Sequence, residues 1–158
     1  MKKSIVTFFS ASGVTAALSS KLAKAAGADL AEIKPAVPYT DADLNWQNDK
    51  SRSSVEMKDR SSRPAICSGI DNIADYDVIF VGFPIWWYRE PSIIDTFMEM
   101  YDFTGKTIVP FATSGGSGLG SSQANMQALA KNAKVVSGQR FSSSVSESEL
   151  SEWAKKYL

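Results

Sequence analysis

A cluster of small polar residues, 10–15 (SASGVT), joins an apolar run to a helix-like pattern. Small residues let the backbone wrap tightly, and Gly13 permits a ligand to approach closely. Free N–H groups at a helix start carry the positive end of its dipole, and the hydroxyls of Ser10, Ser12 and Thr15 add donors. The cluster therefore predicts a phosphate site without lysine or arginine; a serine-rich helix cap is the alternative. It is not a Walker loop, because no Gly-Lys-Ser or Gly-Lys-Thr follows.

A second loop, residues 84–91 (PIWWYREP), holds three adjacent aromatic residues between two prolines. Three neighbouring aromatic side chains cannot all turn into the core, so at least one should present a flat face to solvent or to a planar ligand. One of Trp86 and Trp87 is expected to pack under the neighbouring helix instead. The loop therefore predicts a guest with a flat ring system.

A third loop, residues 113–121 (TSGGSGLGS), is rich in glycine. The dinucleotide fingerprint GxGxxG fails in every register, because Ser117 or Ser121 falls where glycine is required. An NAD-binding fold is therefore the weaker interpretation. A loop whose backbone N–H groups bond the polar edge of a heterocycle fits better. A flexible linker is the alternative, but flexibility alone does not explain why the loop follows a predicted strand.

The composition excludes several kinds of chemistry. The chain of 158 residues contains no histidine, which rules out a Ser-His-Asp triad, a Cys-His pair and a histidine-ligated metal. The single cysteine, Cys67, cannot form an internal disulfide or a thiolate zinc site, which suits a reducing cytoplasm, and no metal site is predicted. Seventeen Lys and Arg balance seventeen Asp and Glu, so neither nucleic acid nor a membrane is expected as a partner. A cofactor is therefore expected to carry any chemistry.

Each of the three loops follows a predicted strand. Continuous apolar runs without in-out alternation indicate strands buried on both faces of a parallel sheet, and one alternating run and one short run indicate edge strands. Helix-like patterns with capping residues lie between them. The predicted strands cover residues 4–9, 28–33, 77–83, 107–112 and 133–136, and the predicted helices cover residues 14–26, 91–101, 122–131 and 146–157.

These elements predict the α/β class, as a three-layer sandwich around a doubly wound, five-stranded parallel sheet in the order 2-1-3-4-5. Residues 1–158 are expected to form a single domain. In such sheets ligands bind beyond the carboxyl ends of the strands, at the switch point between strands 1 and 3. All three loops therefore belong to the ligand side of the predicted sheet.

The sequence resembles the flavodoxin-like family over nearly its whole length. The cluster SASGVT resembles the flavodoxin phosphate loop, usually written S/T-x-T-G-x-T, while FPIWWYREP and PFATSGGSGLGSS resemble the two loops that hold the flavin ring. The resemblance implies FMN as the cofactor. Carried over by position, it implies phosphate contacts from Ser10, Ser12, Gly13, Val14 and Thr15, ring contacts from Pro84, Ile85, Trp86, Trp87 and Tyr88, and contacts to the other side and pyrimidine edge of the ring from Thr113, Ser114, Gly115, Gly116 and Gly118.

Two positions depart from the family pattern. Ser12 replaces the usual threonine, which is a mild change. Val14 stands where asparagine is common and supplies only its backbone N–H. FMN is therefore expected to be held more loosely than in the closest matches to the pattern.

The resemblance implies an FMN-binding flavoprotein in electron transfer, and three functions stay open. The first is an oxidoreductase that passes hydride or electrons from a reduced nicotinamide or protein donor to a quinone or other small acceptor. The zero net charge favours it, since electron-carrier flavodoxins are strongly acidic around the flavin. The second is flavodoxin proper, a one-electron carrier between redox protein partners, and the third is a flavin-free binding module. A cytoplasmic location is expected, and the exposed aromatic residues could also serve a homodimer.

Residues 38–69 form a long polar stretch that leaves the carboxyl end of the second predicted strand. Loops this long without a strand are usually functional or disordered. We expect this segment to wall one side of the flavin or substrate pocket, with a helical turn or two in residues 51–59; a mobile solvated connection is the alternative. Tyr39 and Trp46 argue for some packing, and Cys67 is expected to be a small apolar packing residue rather than a redox thiol.

Overall fold

The computed structural model describes residues 2–67, 69–114 and 116–158, and its central element is a parallel β-sheet. The order of the strands is β2-β1-β3-β4-β5, with β6 paired to β4, and every pair is parallel. The predicted fold class and strand order are confirmed. The strands are β1 (Ser4–Phe8), β2 (Asp29–Glu32), β3 (Val78–Pro84), β4 (Thr107–Thr113), β5 (Lys134–Val135) and β6 (Gln139–Phe141).

The fifth strand differs from the prediction, because it is interrupted. Residues 134–135 pair with the start of β4, whereas residues 139–141 pair with its end. Between the two pairings lies Pro110, which has no N–H to donate to a neighbouring strand. Gly138 (φ +70°) packs against the Pro110 carbonyl, where an added Cβ would lie 2.0 Å from the oxygen. The short, polar run of β6 carries no strand signal, so the sequence analysis missed it.

In the described part of the chain, four α-helices lie between the strands and a fifth follows the last strand. The first has its predicted bounds, the third begins one residue late because Pro91 is its cap, and the last two end earlier than predicted. Ser146 caps the last helix by accepting a hydrogen bond from the Glu149 N–H at 3.1 Å. The helices are α1 (Val14–Ala26), α2 (Arg52–Lys58), α3 (Ser92–Met100), α4 (Ser122–Leu129) and α5 (Glu147–Ala154), with a 3₁₀ turn at Ile73–Asp75.

Two apolar cores, one on each face of the sheet, fix the helices in place. Val6 and Leu22 belong to the core under α1 and α5, whereas Ile5 and Phe97 belong to the core under α3 and α4. All four side chains are buried, and each contributes about 1.5–3 kcal/mol of burial free energy. The carboxyl ends of β1, β3 and β4 are therefore held side by side at one edge of the sheet. Within the described residues, no helix combines the length and apolar character that crossing a membrane requires.

Candidate functional site

The phosphate loop, residues 10–15, turns sharply between β1 and α1. The Gly13 N–H donates to Ser10 Oγ at 3.0 Å, and Gly13 occupies the left-handed region (φ +92°) as the N-cap of α1. A residue with a Cβ would be strained there, which explains glycine at this point of the turn. No side chain caps α1, and the N–H groups of Val14, Thr15 and Ala16 have no acceptor among the described residues. The loop therefore presents unpaired donors at the positive end of a 13-residue helix.

Thr15 is the one member of the phosphate loop whose hydroxyl is not placed as expected. Its side chain is buried, and its Oγ1 lies 2.8 Å from Thr113 Oγ1. Either oxygen can be the donor in this pair, so the Thr15 hydroxyl is shared with Thr113, whereas the Thr15 backbone N–H stays unpaired. The Thr15–Thr113 pair connects the start of α1 to the end of β4. Thr113, expected to contact the ring, packs against the phosphate loop instead.

The remaining side of the phosphate loop is open. Ser12 and Val14 are exposed, and a cavity of about 360 Å³ lies beside them. Lys21, two turns further along α1, borders the same cavity, although its Nζ donates to the Val145 carbonyl at 2.8 Å. Lys21 is not among the predicted contacts, because its place beside the phosphate loop becomes evident only once α1 is packed. The cavity is lined by Ser12, Gly13, Val14, Ala17, Leu18, Lys21 and Ser143.

The aromatic hairpin, residues 86–89, follows β3. Its ends are joined by two hydrogen bonds, from the Trp86 N–H to the Arg89 carbonyl at 3.0 Å and from the Arg89 N–H to the Trp86 carbonyl at 3.2 Å. At its tip, Trp87 (φ +48°) and Tyr88 (φ +63°) are both left-handed, as a type I′ turn requires. This conformation costs about 1–2 kcal/mol for each residue with a side chain. Trp87 is 41% exposed and Tyr88 76% exposed, which confirms the prediction of exposed aromatic faces.

Trp86 packs differently from the expectation. Its ring contacts Phe9 at 5.6 Å and Tyr39 at 5.5 Å between centroids, both edge to face. Rather than packing under the neighbouring helix, Trp86 is fixed between the end of β1 and the segment after β2. Pro84 and Ile85 are half-buried at the base of the hairpin. Phe9, at the end of β1, thus packs against the aromatic hairpin that follows β3.

The glycine loop, residues 113–121, lies next to the aromatic hairpin. Gly120 (φ +57°) packs so closely that an added Cβ would lie 1.9 Å from the Tyr88 carbonyl oxygen, and the Ser121 N–H donates to that oxygen at 3.4 Å. Gly116 and Gly118 face open space, with no atom within 4 Å of an added Cβ. Gly115, also a predicted ring contact, lies outside the described residues.

Arg140 organises the glycine loop from β6. Its Nε and Nη2 donate to the Ser114 carbonyl at 3.2 and 3.0 Å, and Ser114 Oγ donates to the Ser117 carbonyl. Arg140 therefore orients Ser114, a predicted ring contact. The sequence analysis missed Arg140 because β6 itself carries no signal, and only the strand places residue 140 beside the loop.

The aromatic cavity, of about 470 Å³, opens between the aromatic hairpin, the glycine loop and the segment after β2. Four predicted ring contacts line the cavity: Trp86, Trp87 and Tyr88, with Ile85 at its base. Leu44, Trp46 and Ser53 also line it and are not among the predicted contacts. None of the lining side chains carries a formal charge at neutral pH. The cavity is lined by Leu44, Trp46, Ser53, Ile85, Trp86, Trp87, Tyr88 and Ser117.

The segment 38–69 is folded against the rest of the chain. Its helix α2 lies within the predicted 51–59 stretch, and the Arg52 guanidinium stacks 3.8 Å from the centre of the Tyr39 ring. Tyr39 donates to Glu56 Oε1 at 2.5 Å; burial first, and then Glu56, raises the pKa of the phenol. Arg89 attaches α2 to the aromatic hairpin, since its Nη2 donates to the Met57 carbonyl at 3.1 Å. Cys67 is exposed, so the prediction that it packs in an apolar environment is wrong.

A buried charged cluster supports the aromatic hairpin from below. Arg89 Nη1 lies 3.5 Å from Asp95 Oδ2 and 3.8 Å from Glu90 Oε2, and Asn125 Nδ2 donates to Glu90 Oε1 at 3.0 Å. Among the described residues, Glu90 Oε2 and Asp95 Oδ1 have no hydrogen-bond donor, and one proton shared between the carboxyls would satisfy both. Burial first, and then the hydrogen bond with Glu90, raises the pKa of Asp95 to about 8. Burial and the neighbouring Glu90 therefore favour the protonated form of Asp95 in the folded protein.

Comparison with known proteins gives the family. The sequence profile described as Flavodoxin matches residues 3–157. The chain belongs to the flavodoxin family. No curated protein matches this flavodoxin chain.

Solved structures agree with this membership. A structure from Bacteroides eggerthii, named provisionally as a flavoprotein, is 46% identical and has a TM-score of 0.93 over 99% of this chain and 98% of that one. A similarly named structure from Bacteroides uniformis is 43% identical, with a TM-score of 0.91 over 98% of each chain. A flavoprotein from Lactobacillus acidophilus in complex with FMN is 23% identical, with a TM-score of 0.74 over 98% of this chain and 99% of that one. The last similarity supports the flavodoxin fold.

Proposed function

We propose that this flavodoxin binds FMN, with the phosphate on the phosphate loop. The observation that carries the proposal is the set of unpaired N–H groups at Val14, Thr15 and Ala16. Unpaired N–H groups at a helix N-terminus point along the helix dipole, and a phosphate can accept hydrogen bonds from several of them at once. Hydrogen bonds to a charged group contribute about 1.5–3 kcal/mol each, so a few of them are enough to anchor a nucleotide. The family and the FMN complex of the Lactobacillus acidophilus flavoprotein support the same cofactor.

The flavin ring is proposed to lie against the aromatic hairpin and the glycine loop. Trp87 and Tyr88 offer exposed aromatic faces, and the backbone around Gly116 and Gly118 is open to a polar ring edge. When bound, FMN supplies the hydride or electron transfer. The chain's own residues bind and orient the cofactor, and Trp86 packs against Phe9 and Tyr39 at the base of the hairpin.

We propose that the protein is an oxidoreductase that reduces a small acceptor. The uncharged aromatic cavity favours a small, apolar molecule over a charged docking surface for a protein partner. A one-electron carrier is the second candidate. The exposed Trp87 and Tyr88 favour it to a lesser degree, because a protein partner could cover them.

Titration of the protein with FMN and with riboflavin tests the cofactor. We expect visible flavin absorbance on purification or after FMN is added, and much weaker binding of riboflavin, which lacks the phosphate. Equal affinities would contradict the phosphate assignment, and a protein that binds neither would be the flavin-free module. Steady-state kinetics with NADH or NADPH and 1,4-naphthoquinone then test the enzyme. Rapid turnover supports the oxidoreductase, and turnover only with a protein partner supports the carrier.

A further inference from the structure

The acidic pair, Glu90 and Asp95, lies where the aromatic hairpin and the glycine loop meet, and both carboxyl groups are fully buried. Glu90 directly follows the last residue of the hairpin, and its Oε1 accepts a hydrogen bond from Asn125 Nδ2 at 3.0 Å. The same Nδ2 donates to Ser121 Oγ at 3.2 Å, and Ser121 is the last residue of the glycine loop. Glu90 is therefore linked to the glycine loop through one side chain of α4.

The acidic pair also holds the hairpin itself. Arg89 closes the hairpin through its backbone, and its Nη1 lies 3.5 Å from Asp95 Oδ2 and 3.8 Å from Glu90 Oε2. Above the pair the hairpin and the glycine loop touch directly, because the Ser121 N–H donates to the Tyr88 carbonyl at 3.4 Å. A displacement of either carboxyl would therefore change how the two loops meet.

The hydrogen bonds of the acidic pair indicate a shared proton. Glu90 Oε2 and Asp95 Oδ1 are buried oxygens that have no donor among the described residues. Two adjacent carboxylates repel each other in a buried site, and one proton between them removes one charge and supplies the missing donor. Burial first, and then the hydrogen bond with Glu90, raises the pKa of Asp95 to about 8, which agrees with that proton.

The charges that face the acidic pair come from two segments. Arg89 of the hairpin is buried with the pair, whereas Arg60 and Arg63, which follow α2, are partly exposed to water and screened by it. Arg60 Nη1 lies 3.5 Å from Glu90 Oε2, and Arg63 Nη1 lies 4.0 Å from Asp95 Oδ2. Without the proton, two buried carboxylates would share one buried cation, so their repulsion would favour separation.

We propose that the acidic pair is a pH-sensitive link between the two loops: with one proton bound it holds them together, and loss of that proton separates them and weakens FMN binding. The inference rests on the proposed function, because it assumes that the flavin ring lies between these loops. It adds a regulation by pH to that site. Binding should be strongest while the pair is protonated and should weaken as the pH rises past the pKa of Asp95, about 8.

Equilibrium titration with FMN at pH 7, 8 and 9 tests this link. We expect the dissociation constant of the wild-type protein to rise about 5-fold from pH 7 to pH 9, because the FMN-bound state should hold the proton more tightly than the free state. The FMN phosphate does not produce this loss, because its second ionisation lies near pH 6 and would strengthen binding as the pH rises.

Glu90→Gln keeps the pair in its singly charged state. The glutamine oxygen can accept from Asn125, and its amide can donate to Asp95 without titrating. The FMN dissociation constant of this variant should change by less than about 2-fold over the same pH range. Asp95→Asn makes the same change at the other carboxyl and takes its place if Glu90→Gln does not fold. Glu152→Gln, at an exposed ion pair on α5, is the matched control and should behave as the wild type.

Carbon-13 NMR of the full chain without FMN gives a second readout. The signals of the Tyr88 backbone carbonyl and the Asn125 side-chain carbonyl report on the two connections between the hairpin and the glycine loop. Both signals should shift with a midpoint near pH 8 in the wild-type protein and should stay constant in Glu90→Gln.

Two results with FMN would overturn the inference and leave the proposed function standing. One is an equal loss of FMN affinity with pH in the wild type and in Glu90→Gln, and the other is a wild-type affinity that stays constant from pH 7 to pH 9. If the protein binds no FMN at any pH, the proposed function fails and the carbon signals decide. A midpoint near pH 8 that Glu90→Gln removes would then support the link, and constant signals would overturn it.

Discussion

The phosphate loop and the aromatic cavity lie at the same edge of the sheet but are constructed differently. The phosphate loop uses consecutive residues of one turn, and its donors are mainly backbone N–H groups whose direction is set by α1. The aromatic cavity uses side chains from three separate segments, held by Arg89, Arg140 and a strained hairpin. A local, backbone-made site tolerates changes elsewhere in the chain, whereas a composite site depends on long-range packing. The two halves of the site should therefore respond differently to the same perturbations.

The largest expected effect distinguishes contacts to the FMN phosphate from contacts to the flavin ring. Ser12→Asp places a carboxylate on the phosphate loop, where repulsion of about 4 kcal/mol at contact distance would weaken FMN binding on the order of 1,000-fold. Riboflavin lacks the phosphate, so its affinity should barely change. Fluorescence titration of both flavins measures the difference, with Ser12→Thr as the uncharged control. An equal loss for riboflavin would show that Ser12 contacts the ring rather than the phosphate.

The next prediction concerns the contact between the glycine loop and the aromatic hairpin. Gly120→Ala places a Cβ about where the Tyr88 carbonyl oxygen lies and strains a left-handed residue, so the free energy of unfolding should fall by about 2–3 kcal/mol. Urea denaturation measures the loss. Gly118→Ala is the matched control in the same loop, because its Cβ would meet open space. If both variants are equally stable, Gly120 does not support the hairpin.

The third prediction uses pH to test the buried charged cluster that supports the aromatic hairpin. The pKa of Asp95 is raised from 3.8 to about 8, so the folded protein binds a proton that the unfolded chain releases. The stability from this proton is complete below about pH 3.8, falls as the pH rises, and is lost above about pH 8. Each kcal/mol lost should lower Tm by about 3 °C in a chain of this length.

Asp95→Asn tests the assignment, because an amide can still donate to Glu90 but does not titrate. The fall in Tm between pH 6 and pH 8 should be smaller in this variant, and Asp102→Asn, at an exposed turn, is the control. Glu90, Arg89, Arg60 and Arg63 are the charged groups that face Asp95, and Arg60 and Arg89 lower the pKa of Asp95 against the effects of burial and Glu90. A wild-type pH profile as shallow as that of Asp95→Asn would contradict a shared proton.

The smallest expected effect concerns the tip of the aromatic hairpin. Tyr88→Gly removes the backbone strain of a left-handed residue but increases the conformational entropy of the unfolded chain. We therefore expect a net gain of about 0.5 kcal/mol in the free energy of unfolding. Binding of 1,4-naphthoquinone should weaken in the same variant. Tyr88→Phe keeps the strain and should leave stability unchanged. A Tyr88→Gly protein that is less stable than Tyr88→Phe would show that the tyrosine is held by favourable contacts rather than under strain.

Features with local determinants could be predicted from the sequence, whereas those that depend on long-range contacts could not. The turn from β1 into α1 could be predicted because its determinants, a glycine with positive φ and a run of small residues, lie within six positions. The hydroxyl of Thr15 could not, since its partner Thr113 is 98 residues away. Continuous apolar runs predict the central strands because this signal lies within each strand. β6 has no such run, and its pairing depends on β4 rather than on its own composition.

The wall that Leu44, Trp46 and Ser53 form in the aromatic cavity shows the limit of sequence-based prediction most clearly. Trp46 suggested packing, but nothing near Ser53 in the sequence distinguishes it from the serines on either side. Only the position of α2 against the aromatic hairpin, fixed by Arg89 and Met57, brings Ser53 to a cavity. Side chains that meet through tertiary contacts leave no spacing pattern that a single sequence could show.

The interruption of the fifth strand at Pro110 and Gly138 also affects how copies of the protein meet. A continuous outer strand would offer a row of unpaired backbone groups to another molecule, and such rows promote aggregation. Here the edge strand beside β4 is divided into β5, of two residues, and β6, of three residues. The strand at the other edge, β2, begins with Asp29 and ends with Glu32, which are both charged. Neither margin is a good template for adding a strand, so this flavodoxin should resist fibril formation even at high concentration.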